Sequence, residues 1–223
     1  MARTARVVIP DLAVHIVQRG HDRQDCFFDD ADYLAYLDLL ATFAPRFACS
    51  VHAYCLMTNH AHLFLTPHAP DSCAQLMKNV GQRYVQRINM RLGRTGTLWE
   101  GRFYSCLVTT GLYALACYRY IERNPVRPGM VSHPREYRWS SYAMNARPQS
   151  SSLLTPHLAY LGIAENANRR AAVYQELCDV PLAQEVIDDI RKATRRGYVA
   201  GSVRRARGRP RLAVMRKMGS VPN

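Results

Sequence analysis

The chain has no run of about 18 apolar residues, the minimum for crossing a bilayer as a helix. Its first residues, Met-Ala-Arg-Thr-Ala-Arg, lack the apolar stretch of a secretion signal. A cytoplasmic protein with no membrane partner is the expectation. Paired cysteines are also missing. The seven cysteines are odd in number and scattered, with no CxxC pair. That excludes a disulfide framework or a cysteine zinc knuckle and leaves free thiols. No internal repeat is visible. Acidic residues run out towards the C-terminus: from Arg191 onward there are 11 Lys and Arg and no Asp or Glu. Most of the net charge of +13 therefore sits there, and residues 1–190 carry only +2. A polyanionic partner is implied for that end.

What is present is the patterning of a globular α+β protein. Residues 12–19 read as a strand rich in β-branched residues. Asp29-Asp30 caps an amphipathic helix that runs to about residue 44. Residues 47–57 and 60–66 form a hairpin around Thr58-Asn59. Leu76, Val80, Tyr84, Ile88 and Leu92 recur every four residues and mark a helix over 72–92. A strand over 97–108 and a helix over 112–123 follow, the helix stopped by Asn124-Pro125. The order β-α-β-β-α-β-α predicts a ferredoxin-like antiparallel sheet with helices packed on it. Residues 1–145 form this domain, and residues 145–156, rich in Ser and Pro, read as a linker. Residues 146–199 read as a small helical module, with helices over 157–162, 168–178 and 182–195. Residues 200–223 read as a basic tail, disordered when free.

Two groups of residues can carry chemistry. His60 and His62 alternate on a strand, so both imidazoles reach one face and can converge on one ion. Two half-exposed histidines near a turn are the plainer alternative. Tyr120 and Asn124 lie one helical turn apart, which suits a nucleophile and a third metal ligand. A core aromatic and a helix-end amide are the alternative there. Tyr84 is the rival tyrosine, but its unbroken apolar stripe argues for core packing. Glu100 and Glu122 are further carboxylates near these segments, with nothing in the spacing to turn either inward.

Four motifs occur in order: Asn59-His60-Ala61-His62-Leu63, GTLWEGRFYS at 96–105, YRYIERNPVRPGMV at 118–131 and WSSY at 139–142. Together they resemble the REP-associated tyrosine transposases of the single-tyrosine HUH transposase superfamily. The resemblance spans most of residues 7–145. It implies His60 and His62 as metal ligands, Tyr120 as nucleophile and Asn124 as third ligand. It implies Mg2+ or Mn2+, and a mixed imidazole and amide site favours Mn2+. It implies cleavage and rejoining of single-stranded, hairpin-forming DNA through a 5′-phosphotyrosine. The Arg-Gly-His-Asp-Arg segment at 19–23 departs from the usual Asn-Asn after Arg-Gly.

Two basic features fit a DNA partner. Arg83, Arg87, Arg91 and Arg94 form a ridge beside the apolar stripe of the 72–92 helix. Arg207-Gly208-Arg209-Pro210 resembles a minor-groove-binding hook. No small-molecule cofactor is expected, and a homo-oligomer remains open. A non-catalytic DNA-binding protein is the first alternative; intact His60, His62 and Tyr120 argue against it. An RNA-binding module shares the element order, but its aromatic strand pattern is missing.

Overall fold

The computed structural model describes residues 8–201. The tail reading, with Arg207 and Arg209, lies outside the described residues. Five strands form one sheet: β1 (Ala13–Arg19), β2 (Cys49–Met57), β3 (His60–Pro67), β4 (Tyr104–Val108) and β5 (Val199–Ala200). Their order is β2-β3-β1-β4-β5. The first four pair antiparallel, as the sequence predicts. The fifth corrects that expectation, because β5 pairs parallel with β4. Two residues carry no alternation, so no sequence pattern marks such a strand.

Seven α-helices lie among the described residues. They are α1 (Asp30–Arg46), α2 (Ser72–Leu92), α3 (Gly111–Glu122), α4 (Tyr142–Asn145), α5 (Leu158–Leu161), α6 (Ala167–Asp179) and α7 (Gln184–Arg196). Asp29 caps α1 by accepting the Asp32 amide, and Gly93 closes α2 in the left-handed conformation. None of these helices is long and apolar enough to cross a membrane.

The strand expected over 97–108 begins only at Tyr104. Gly96 and Gly101 adopt left-handed φ and break the extended run. Between them Trp99 turns into the core and stacks on Tyr84 at 5.7 Å. The Arg-Gly-His-Asp-Arg segment forms a short 3-10 turn over His21–Arg23. Gly20 is required there, since a Cβ would collide with the Gln24 carbonyl.

Strand alternation divides the protein into two cores. Val14, Ile16, Ala61, Leu63 and Leu65 face α1 and α2, packing with Tyr36, Leu76, Val80, Tyr84 and Ile88. Ala13, Phe64, Cys106 and Val108 face the other way. There they meet Cys117 and Ile121 of α3, Tyr174 and Cys178 of α6, and Ile187, Ile190 and Ala193 of α7. Residues 146–199 thus complete the second core. The linker expected over 145–156 is corrected: the stretch is stitched to the sheet edge, where Leu154 bridges Val51 and the Thr155 amide donates to the Val51 carbonyl.

Candidate active site on the second face of the sheet

The face that carries Ala13 and Phe64 also carries His15 and His62. Near the hairpin end it opens into a cavity of about 870 Å³. Its floor is His15, Val17 and Arg19 from β1 and His60 and His62 from β3. Tyr120 and Asn124 line one wall and α7 the other. Two segments about 60 residues apart in sequence are thereby brought together with a third from the C-terminal part of the chain.

The two histidines are held through one ring nitrogen each. His60 Nδ1 donates to Asn59 Oδ1 at 2.6 Å, and the Asn59 amide nitrogen donates to the Arg23 carbonyl. His62 Nδ1 lies 3.0 Å from His15 Nε2. The ring centroids of His60 and His62 are 4.8 Å apart, and each Nε2 is left over. Burial pushes the His60 pKa down to about 4, with Arg19 adding to the shift. Burial also holds His62 well below its usual range, helped by His60, His15, Arg19 and Arg191. Both rings are therefore neutral near pH 7, the form that binds metal ions.

Tyr120 is 5% exposed and meets His62 edge-on at 5.7 Å between ring centroids. Its helix ends just beyond it. Asn124 therefore continues on the same side, and its Nδ2 donates to the Tyr120 carbonyl at 3.2 Å. Burial raises the phenol pKa, and Arg191 and Asn124, both in hydrogen-bonding reach, oppose that rise. The Arg127 guanidinium lies 5.7 Å over the Tyr120 ring. Together, Arg19, Arg127, Arg191, Lys192, Arg195 and Arg196 give the cavity a cationic rim.

The donor set suits a divalent ion. Among the described residues, no hydrogen bond engages His60 Nε2, His62 Nε2 or Asn124 Oδ1. Among the described residues no three His, Cys, Asp or Glu side chains are grouped to hold an ion. The Asn124 amide is the remaining candidate donor beside the two histidines at this cavity.

The other candidates fall elsewhere. Tyr84 is fully buried in the first core, on the opposite face of the sheet, and donates to the Cys26 carbonyl at 2.6 Å. Arg83, Arg87 and Arg91 line a separate groove between α1 and α2. Arg91 is engaged internally, with Asp29 at 2.7 Å and Asp32 at 2.6 Å. Arg94 lies over the Phe28 ring. Glu100 is exposed. Glu122 points away from the cavity into a buried network with Ser141, Asn145 and Tyr174.

Sequence reasoning missed His15, Arg19, Arg127 and all of α7's contribution. A signal for α7 did exist. Arg191 and Arg195, and likewise Lys192 and Arg196, are spaced i, i+4 on a helix whose adjoining stripe carries Ile187, Ile190 and Thr194. Counting them with the tail hid that pattern.

A solved REP-associated tyrosine transposase, described as bound to a REP hairpin, shares the fold. It superposes with a TM-score of 0.57 at 16% identity, over 71% of this chain and 93% of that one. A putative transposase from Deinococcus radiodurans matches at 20% identity over 52% of this chain and 92% of its own, with a TM-score of 0.38. No curated protein matches. The sequence model of the IS200-like transposases matches residues 8–124, more than half of the chain and the segment that holds His60, His62, Tyr120 and Asn124. The chain belongs to the IS200-like transposase family.

Proposed function

We propose that this protein cuts and rejoins single-stranded, hairpin-forming DNA through a 5′-phosphotyrosine on Tyr120. One observation carries the reading: two neutral imidazoles, an amide and a phenol share one cation-rimmed cavity. The relative described as bound to a REP hairpin supports folded single strands as the substrate class.

The chain's own residues supply most of what the reaction needs. Tyr120 Oη forms a bond to the scissile phosphorus, the bond to the 3′-oxygen breaks, and a 3′-OH leaves. The phenol proton departs to solvent, and the leaving oxygen takes one up. Burial alone makes the phenol a poor nucleophile. Arg191, in reach of its oxygen, stabilises the developing phenolate. Arg127 and the α7 cations offer charge to the phosphate as it gains negative character. His60, His62 and Asn124 would hold the Mg2+ or Mn2+, which would neutralise phosphate charge as a Lewis acid. Because one phosphodiester is exchanged for another, a second 3′-OH can reverse the step without ATP.

The test is incubation with hairpin-forming single-stranded DNA and Mn2+, followed by a denaturing gel. Wild type and Tyr84→Phe are expected to give a covalent protein–DNA band. Tyr120→Phe and His62→Ala are expected to give none. A band that survives Tyr120→Phe overturns the nucleophile assignment, and no band from wild type favours a binder without catalysis.

A further inference from the structure

Behind the two candidate ligands lies a third histidine that the reaction scheme does not use. His15 is 1% exposed on β1, and its two ring nitrogens each meet a partner from a different part of the chain. We propose that Thr194 and His15 act as positioning residues that lock His62 in one tautomer and orientation. The idea deepens the metal-site reading above and rests on it for its role in catalysis.

The proton positions follow from one end of the relay. Thr194 Oγ1 lies 2.7 Å from the Ile190 carbonyl, which can only accept. The single hydroxyl proton is spent there. Thr194 Oγ1 is also 2.9 Å from His15 Nδ1, so it accepts at that contact and His15 Nδ1 carries a hydrogen. The Cys106 thiol, 3.3 Å from the same oxygen, is then a second donor.

His15 is enclosed at 1% exposure, and a charge on a ring so far from water would be costly. A neutral ring with hydrogen on Nδ1 has a lone pair on Nε2. That atom is 3.0 Å from His62 Nδ1, so His62 Nδ1 is the donor. The two rings lie within 3° of parallel with centroids 5.2 Å apart, a separation compatible with an in-plane N–H···N bond. His62 is left with its lone pair on Nε2, towards the cavity. The same bond fixes the ring's rotation, since the Nδ1–H would lose its acceptor if the ring flipped. A ligating histidine is commonly set by a partner on its other nitrogen, and losing such a partner weakens metal binding about 10- to 100-fold. Here the final anchor is on α7, 179 residues from His15.

The test uses the full chain and two readouts. Long-range 1H–15N NMR of the metal-free protein reads the His62 tautomer. Electron paramagnetic resonance titration with Mn2+ reads affinity. Wild type should show His62 with hydrogen on Nδ1 alone. Thr194→Val is nearly the same shape but cannot accept, so His15 can move its hydrogen to Nε2. It should give mixed His62 tautomers and an Mn2+ affinity weaker by about 10-fold or more. Thr194→Ser should restore both. His15→Phe should lose both, and Thr194→Val serves where that variant fails to fold. An unchanged His62 tautomer in Thr194→Val overturns the relay. A wild type that binds no Mn2+ overturns the metal site instead, a result the metal-free spectra separate from failure of the relay.

Discussion

Replacing Glu122 by Gln should change how stability depends on pH, and the structure gives the size of the change. The carboxylate is 0% exposed on α3, between Tyr120 and Asn124. Ser141 Oγ and the Tyr174 hydroxyl donate to it at 2.5 Å each, and Asn145 Nδ2 donates at 2.7 Å. Burial raises its pKa from 4.5 to about 7, against the pull of those three bonds. Between these two values the folded protein holds a proton that the unfolded chain has released. The group's contribution is thus fully present below pH 4.5 and is lost as pH rises through about 7. The whole interval is worth roughly 3 kcal/mol, and the part above pH 5.5 about 2 kcal/mol. Gln is neutral throughout, and its amide can keep an acceptor and donors in the same network. Urea unfolding from pH 5.5 to 8.5, followed by tryptophan fluorescence, measures both proteins. All other titrations cancel in the difference between them. E122Q should gain about 2 kcal/mol on wild type across that window, with an unchanged denaturant slope. Parallel curves would refute the reasoning and mean that the three donors keep Glu122 ionised.

The histidines act in the opposite sense. Burial lowers His15 to about 3 and His52 and His60 to about 4, while unfolded histidine titrates near 6.5. The unfolded chain therefore binds more protons as pH falls, at a cost on the order of 3 kcal/mol for each histidine. Together these equal the stability of a typical domain. Far-UV circular dichroism should show unfolding by about pH 4, and a native spectrum there would contradict the buried-neutral assignment. Arg91→Ala strips the partner from Asp32, which is 0% exposed and also accepts the Phe28 amide. Discounted for the partial exposure of Arg91, the loss should be roughly 2 kcal/mol in urea unfolding. Arg83→Ala and Arg87→Ala should stay within about 0.5 kcal/mol of wild type. Equal effects at all three would mean that Arg91 is only a surface charge.

Elements with a long, regular pattern were legible before any coordinates. The Leu76–Leu92 stripe predicts α2 at its observed ends, and the alternation of β1 and β3 places them within a residue or two. His60, His62, Tyr120 and Asn124 were also named from spacing and resemblance, and the structure brings them into one cavity. His15 was not. Alternation puts it opposite Val14 and Ile16, but nothing local says that its face is the one α3 and α7 will cover. The parts Arg191 and Thr194 play at the site were hidden too, since Tyr120 and His15 lie more than 70 residues from them. Trp99 misled because aromatic and β-branched residues around it imitate a strand. The flanking left-handed glycines decide otherwise.

The family model matches residues 8–124, which hold His60, His62, Tyr120 and Asn124. Arg127 and the α7 cations that face the cavity lie beyond that segment. Most cations of the rim and the candidate ligands are therefore encoded in different stretches of one chain, yet they cannot be separated physically. Lifting α7 away would uncover Ile187 and Ile190 and remove Arg191 from Tyr120. It would also strip the Thr194 acceptor from His15, whose other nitrogen holds His62. The C-terminal helix is bound to the sheet by the same contacts that prepare the site, so any change that loosens it must act on the candidate ligand and nucleophile together.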